Sequence, residues 1–293
     1  MAAVPPNPHP PSGAVLEAVE RAVREDVLGL GDLTASLIPQ GTTASLAVVA
    51  REPGVLAGER CARAVFAQLA PDAQLDWRIP EGSRLSPGDE IVAIDGALAP
   101  ILTAERTALN FLCHLSGVAT LTRRFVDAVS AVDAEVRIVD TRKTTPGLRA
   151  LEKAAVRAGG GHNHRGSLSD AVLIKDNHLG GLSITRAIEG ARRAWPGRTV
   201  EIECDREEQV SEACRAGADI VMLDNFDPER AARCVAVVRE ASPTGRVLFE
   251  ASGGVNLDSA PRFAAAGVDI ISVGALTHSA PILDLALDLR SGG

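Results

Sequence analysis

From residue 136 to residue 275 the chain repeats one pattern six times, a short apolar run followed by a helical segment. The runs are VRIVD, AVLIK, VEIEC, IVMLD, VLFEAS and IISVG; between them lie segments such as GLRALEKAAVRAG, SITRAIEGARRAW, EEQVSEACRAG and PERAARCVAVVREA. Strands joined by helices run parallel, and the crossover helices bury both faces of the sheet. Right-handed crossovers leave two outcomes, an open doubly wound sheet or a barrel. Six strands fall short of the eight that close a full barrel, so the expected fold is α/β with an incomplete parallel (β/α) barrel of about six strands.

The positions of the polar residues sharpen this reading. Thr141-Arg142-Lys143, Lys175-Asp176-Asn177-His178, Asp224-Asn225, Ser252-Gly253-Gly254 and Gly274 all follow or close an apolar run. These are C-terminal strand ends, where parallel α/β folds build their sites, so the clusters are expected to converge in space.

Upstream, Leu16, Val19, Val23 and Val27 recur at helical spacing, and TASLAVVARE and QLDWRI read as strands around a helical ERCARAVFAQLA. This predicts a smaller N-terminal α+β domain. A long helical stretch follows, with a break expected near Ser116-Gly117. ILDLALDLR alternates leucine with charge and is expected to return as a strand to the N-terminal sheet. The expected division is a disordered proline-rich tail at 1–13, an N-terminal domain at 14–117 joined by 276–293, and a barrel at 118–275.

Composition narrows the function. The net charge of −8, the absence of tyrosine and the scarcity of aromatics disfavour nucleic acid. No segment approaches the roughly 20 apolar residues of a membrane span. Five cysteines without a CxxC fit neither a disulfide framework nor a structural zinc site, and suit a reducing cytoplasm. Against this acidic background, Arg142 to His178 holds seven Lys or Arg and three Asp or Glu, about +4 (7 − 3), with three of the six histidines. Such a reversal marks a solvated helix face or a pocket for a small anion. Arg149, Lys153 and Arg157, at four-residue spacing, are assigned to a solvated face. Arg142, Lys143, Arg165 and Lys175 remain, at strand ends or in loops.

In VEIECD, Glu201, Glu203 and Asp205 share one strand face. They point into a barrel if the apolar face meets the helices; the alternative is an edge strand with a solvated acidic face. Asp224 closes the next run, and two inward carboxylates on neighbouring strands suit Mg²⁺, bound directly or through water, because that ion takes one or two carboxylates and fills its octahedron with water and phosphate oxygens. Ser252-Gly253-Gly254, ahead of a helix N-cap expected at Asp258, and Ser272-Val273-Gly274 form two glycine turns on the last two strands, where barrels often bind phosphate. Plain turn glycines are the alternative. Gly159-Gly160-Gly161 lacks the spacing of a dinucleotide fingerprint and reads as a helix end.

ERTALNFLCHLSGVAT, DTRKTTPGLRALEKAAVRAGGGHNHR, DAVLIKDNH, EIECD, MLDNF, EASGGV and ISVGALTH together resemble the quinolinate phosphoribosyltransferases, with the motifs in that family's order from about Leu16 to Leu289. The resemblance implies transfer of phosphoribosyl from phosphoribosyl pyrophosphate to quinolinate, with loss of CO₂, in NAD synthesis. By the family's pattern Thr141, Arg142, His164, Arg165 and Lys175 match the quinolinate site, and Arg106 enters from the partner subunit of a homodimer. Lys143 matches the lysine beside the phosphoribosyl donor, Glu203 and Asp224 the donor and metal carboxylates, and Ser252, Gly253, Gly254, Ser272, Val273 and Gly274 the 5′-phosphate turns. Lys143, Glu203 and Asp224 are thus the implied catalytic residues, Mg²⁺ the implied cofactor. His162 receives no role. Two rivals stand beside this reading: a phosphosugar isomerase or synthase on a similar barrel, which has no use for so many cations, and a non-catalytic relative that binds a small anion.

Overall fold

The computed structural model of the protein describes residues 7–241 and 247–290. Two compact units emerge. One runs to Arg123 and adds Thr144–Gly160 and the chain from Leu276; the other comprises Arg124–Lys143 and Gly161–Ala275.

In the first unit, helix α1 (Ser12–Asp26) is followed by β1 (Thr43–Ala50), β2 (Gly54–Val55), α2 (Glu59–Leu69), β3 (Gln74–Trp77), β4 (Arg84–Leu85), β5 (Glu90–Ala97) and α3 (Leu98–Ser130), whose last turns, from Arg124, belong to the second unit. The buried stripe of α1 is Val15, Ala18 and Val19; of the expected apolar row Val19 is buried and Val23 and Val27 are half-buried, while Leu16, 57% exposed, points away from it. Glu81 caps α2: its two carboxylate oxygens accept the backbone N–H groups of Gly58 and Glu59, each at 2.9 Å. Burial pushes the Glu81 carboxyl up to about 7 against the pull of those bonds.

Helix α3 continues through Ser116-Gly117, contrary to the expected break. Gly117 is there for closeness, since a Cβ would collide with the Pro281 carbonyl, and Ser116 Oγ is used in bonds to the Ala57 backbone. The 1–13 stretch does not conform to a disordered tail over its described part. Arg157 donates to the carbonyls of Asn7 (2.5 Å) and His9 (3.0 Å), Pro10 is buried, and α1 already begins at Ser12; residues 1–6 lie outside the described residues.

The remaining elements are β6 (Arg137–Val139), α4 (Arg149–Ala158), β7 (Val172–Ile174), α5 (Asp176–Leu179), α6 (Ile184–Ala194), β8 (Val200–Cys204), α7 (Glu207–Arg215), β9 (Ile220–Asp224), α8 (Pro228–Ala241), β10 (Leu248–Ser252), α9 (Ala260–Ala265), β11 (Ile270–Ser272), α10 (Ala275–His278) and β12 (Leu285–Leu289). Helix α4 belongs to the first unit. Its row of cations is not a solvated face: Lys153 is only 6% exposed, Arg157 is half-buried, and the wholly buried Glu152 bonds His114 Nε2 at 2.9 Å. Spacing identified the helix but not how deeply it would be covered.

The first unit's sheet runs β12-β1-β5-β3, with β12 antiparallel to β1 as the terminal leucine alternation implied. Phe66, Leu56, Ile91, Ile94 and Leu112 fill its core. In the second unit six parallel strands follow the order β6-β11-β10-β9-β8-β7. That is chain order wrapped round, so β6 and β7 are the two ends of an unclosed barrel, as expected from the strand count. His162 extends the sheet at the β6 end, forming a parallel bridge to Val139.

Candidate active site

Alternation along the barrel strands decides what faces inward. Ile138, Ile202, Leu223, Phe249, Ala251 and Ile271 form the outward set, and all are buried. The other set faces the lumen in layers fixed by register: Glu203, Met222 and Glu250 lie abreast on β8, β9 and β10, with Asp224 paired to Ser252 one layer nearer the C-terminal ends. Strand β8 is flanked by β7 and β9, which removes the solvated-edge alternative for its carboxylates. Glu201 is 2% exposed; Asp205, beyond the strand end, is exposed to solvent.

A cleft of about 570 Å³ opens at the strand ends. Thr141, Arg142, Lys143, His164, Arg165, Lys175, Glu203, Asp224, Ser252, Gly253, Gly254 and Ser272 all line it, although they are scattered over 132 positions of sequence (272 − 141 = 131 steps). Val273 is different. It is buried, and its N–H donates to Val139 O at 2.9 Å within the sheet, so it offers no amide to a phosphate. Gly274 follows, just before α10. The expected N-cap at Asp258 is Ser259, with the Asn256 side chain accepting the N–H groups of both Asp258 (3.0 Å) and Ser259 (2.9 Å). Arg106 is exposed on α3, in the first unit.

Charge within the cleft is tightly paired. Lys175 Nζ donates to Glu203 Oε2 at 2.6 Å. Burial, and then the repulsion of Glu203, raise the Asp224 carboxyl above the usual carboxylate range, while Lys175 and Lys143 pull it back. Arg165 is lowered by burial and by neighbouring Arg142. Two like charges held close in a partly buried wall are stable only when an anion joins them or the fold forces them together.

Asn225, next to Asp224, has φ +57°, the only left-handed non-glycine among the described residues. Its backbone N–H donates to Ser252 O at 3.0 Å, and its side-chain amide donates to Asp224 Oδ2 at 2.7 Å. Strain of this kind persists only where the surroundings fix it. Gly253, at φ +93°, accommodates the arrangement, since a Cβ would collide with the Asn225 side-chain oxygen. The carboxylate at the end of β9 and the glycine turn after β10 are therefore one locked unit.

Three residues that sequence reasoning left without a part lie on the cleft's deeper side. Asp140, fully buried, accepts the backbone N–H of His164 at 2.9 Å and the Asn163 amide at 2.5 Å, and so fixes the loop that delivers His164. His164 Nε2 then lies 2.9 Å from Glu201 Oε2 and 3.5 Å from Glu250 Oε2. Burial alone would lower the imidazole, but these two carboxylates overcome it and raise His164 to about 10. These three residues bring ligand-type atoms within 4.8 Å of one another, yet the Nε2–Oε2 separation is that of a direct charge-assisted hydrogen bond. Glu250 carried a readable signal, a single charge inside the apolar run VLFEAS on the same strand face as Ser252.

Comparison with known proteins agrees with this geometry. The family model for the C-terminal domain of quinolinate phosphoribosyl transferase matches residues 118–288, and that for its N-terminal domain matches residues 32–116. The nicotinate-nucleotide pyrophosphorylase [carboxylating] of Mycobacterium leprae is 43% identical over 94% of this chain and 97% of its own length; that of Homo sapiens is 39% identical over 92% and 90%. The solved nicotinate-nucleotide pyrophosphorylase of Francisella tularensis superposes with a TM-score of 0.90 at 37% identity, covering 97% of this chain and 99% of the other. With both domains matched and the barrel cleft assembled from the motifs in between, this chain belongs to the quinolinate phosphoribosyl transferase family.

Proposed function

We propose that the protein joins quinolinate to phosphoribosyl pyrophosphate, releasing pyrophosphate and CO₂ and giving nicotinate mononucleotide for NAD synthesis. The observation that carries this reading is the convergence of Arg142, His164, Arg165 and Lys175 with Lys143, Glu203, Asp224 and the Ser252–Gly254 turn in one cleft. A pyridine bearing two adjacent carboxylates needs several cationic donors, and forked guanidinium groups suit it. We assign it Thr141, Arg142, His164, Arg165 and Lys175. The donor's phosphates fall to Lys143 and to the turns at Ser252-Gly253-Gly254 and Ser272.

Chemistry follows from charge placement. As the bond from C1 of the ribose to pyrophosphate breaks, positive charge grows on the sugar and negative charge on the departing oxygen. Lys143 assists departure, Glu203 and Asp224 stabilise the sugar, and the pyridine nitrogen attacks C1. The alkylated ring is cationic, so the C2 carboxylate leaves as CO₂ and its electron pair stays on C2, held by the adjacent nitrogen until a proton is taken up. Glu203 and Asp224 fit Mg²⁺: they are inward carboxylates on neighbouring strands, and Asp224 is raised by burial and then by the repulsion of Glu203, a repulsion that a shared cation would relieve. When bound there, the ion neutralises charge on pyrophosphate.

We further propose a homodimer in which Arg106 completes the partner's quinolinate site. Its exposure on α3 suits that role, and Leu28, Leu30, Leu33 and Leu37, each at least 64% exposed, supply apolar surface for a second copy to cover. Five unpaired cysteines suit the cytoplasm, and no helix among the described residues is long and apolar enough to cross a membrane. The deciding assay mixes protein, quinolinate, phosphoribosyl pyrophosphate and Mg²⁺ and follows nicotinate mononucleotide; absence of product defeats the assignment.

A further inference from the structure

The barrel lumen holds two carboxylates that the reaction above does not use. Glu201 on β8 and Glu250 on β10 are 2% and 0% exposed, and they reach past the intervening β9 toward a single imidazole, that of His164. Glu201 Oε1 and Glu250 Oε1 find no hydrogen-bond donor among the described residues, and Glu250 Oε2 has only the His164 ring, 3.5 Å away. Buried carboxylates are costly unless a positive charge compensates them, so a pair retained here demands a function.

Charge placement suggests one. Burial raises the Glu201 carboxyl and Glu250 repels it, while the bond from His164 and then the field of Arg165 draw it back toward its charged form, so imidazole and carboxylate hold each other's charge. Both cations line the cleft and also a second cavity of about 330 Å³ toward the N-terminal strand ends; Glu250 likewise lines both, and Glu201 only the second. Glu201 thus sits beneath the cations, and Glu250 reaches up to the cleft wall beside them. Asp140, gripping the backbone N–H of His164, fixes the ring from the third direction.

We propose that Glu201 and Glu250 are positioning residues: a buried carboxylate pair that engages His164 through Nε2, keeps both ring nitrogens protonated, and turns the Nδ1–H toward a carboxylate of the bound substrate. Without such a seat, His164 would lose its charge, because burial alone disfavours the imidazolium. With it, the binding charges stand in place before the ligand arrives, and less reorganisation opposes binding. The inference rests on the reading of the cleft as a quinolinate site, but the state of His164 can be measured with no substrate present.

The test uses the whole protein with ¹⁵N-labelled histidine, the His164 signals being assigned by their loss in His164→Asn. In the native protein at about pH 8 both His164 nitrogens should carry protons. In Glu201→Gln and Glu250→Gln the ring should be neutral at that pH, and the KM for quinolinate should rise by about tenfold, the scale of one lost charged hydrogen bond, while the KM for phosphoribosyl pyrophosphate moves by less than about twofold. At about pH 6, where an ordinary imidazole regains its proton, the quinolinate KM of the variants should recover. A neutral His164 in the native protein at about pH 8 overturns the proposal, as does a loss spread equally over both substrates. Should native protein make no nicotinate mononucleotide, the substrate reading fails, and the nitrogen signals still decide whether the carboxylate pair holds the charge.

Discussion

Lys175 Nζ and Glu203 Oε2 stand 2.6 Å apart, joining the group assigned to quinolinate with a carboxylate assigned to the metal and the phosphoribosyl donor. The pair is partly exposed, with the lysine side chain 42% accessible, so solvent weakens it and a ligand can exchange with it. The two half-sites are therefore coupled through one ion pair.

That coupling sets an expectation for Lys175→Ala. Quinolinate affinity should fall by about tenfold or more, and Glu203, released from its cation, should hold Mg²⁺ more tightly, lowering the Mg²⁺ concentration at half-maximal rate. Kinetics at varied Mg²⁺ would reveal it; an unchanged Mg²⁺ requirement would show that the pair does not compete with the metal.

Arg142→Ala should act more selectively. It lines the cleft beside Arg165 among the cations assigned to quinolinate, so the KM for quinolinate should rise by about tenfold or more and that for phosphoribosyl pyrophosphate stay within about threefold, as expected when one charge-assisted bond to one substrate is lost. Equal losses for both substrates would mean that the residue is misassigned.

Gly253→Ala tests the locked turn. An alanine at φ +93° is strained, and its Cβ must push Asn225 away from Asp224. Stability should drop by about 1–3 kcal/mol and the KM for phosphoribosyl pyrophosphate should rise, measurable by denaturant unfolding and initial rates.

Glu81 predicts a pH dependence of stability. Its folded value of about 7 lies above the ordinary glutamate value of 4.5, so between those two pH values the folded chain keeps a proton that the unfolded chain releases. The sign follows: its contribution is greatest below about pH 4.5 and declines as pH rises to about 7. Comparing unfolding midpoints of native protein and Glu81→Gln across that window should show a slope that the variant lacks.

For the dimer, mixing Arg106→Ala with Lys143→Ala subunits should restore about a quarter of native activity, because random two-fold pairing leaves one intact site in half of the assemblies. Given subunit exchange, no recovery would mean that each chain completes its own cleft.

Periodicity made most of the barrel legible, because six apolar runs with polar ends leave little freedom in where those ends meet. The inward turn of Glu203 and Asp224 follows from the same alternation. Depth was not legible. Lys153 and Glu152 occupy a helix whose spacing suggests solvent, and only tertiary packing buries them; the unbroken α3 depends on a carbonyl of Pro281 approaching Gly117 from far along the chain. Asn225 and Glu250 lay in plain sight within MLDNF and VLFEAS, but their parts depend on neighbours across strands, which single-strand alternation does not name.

The pairing of β12 with β1 has a consequence for biosynthesis. Ala50 lies opposite Leu285, so while the ribosome is still translating the barrel, β1 presents an uncovered edge to the cell. The N-terminal sheet cannot be finished until Leu285–Leu289 leave the ribosome, and a nascent protein lacking that strand would keep a sticky seam along β1.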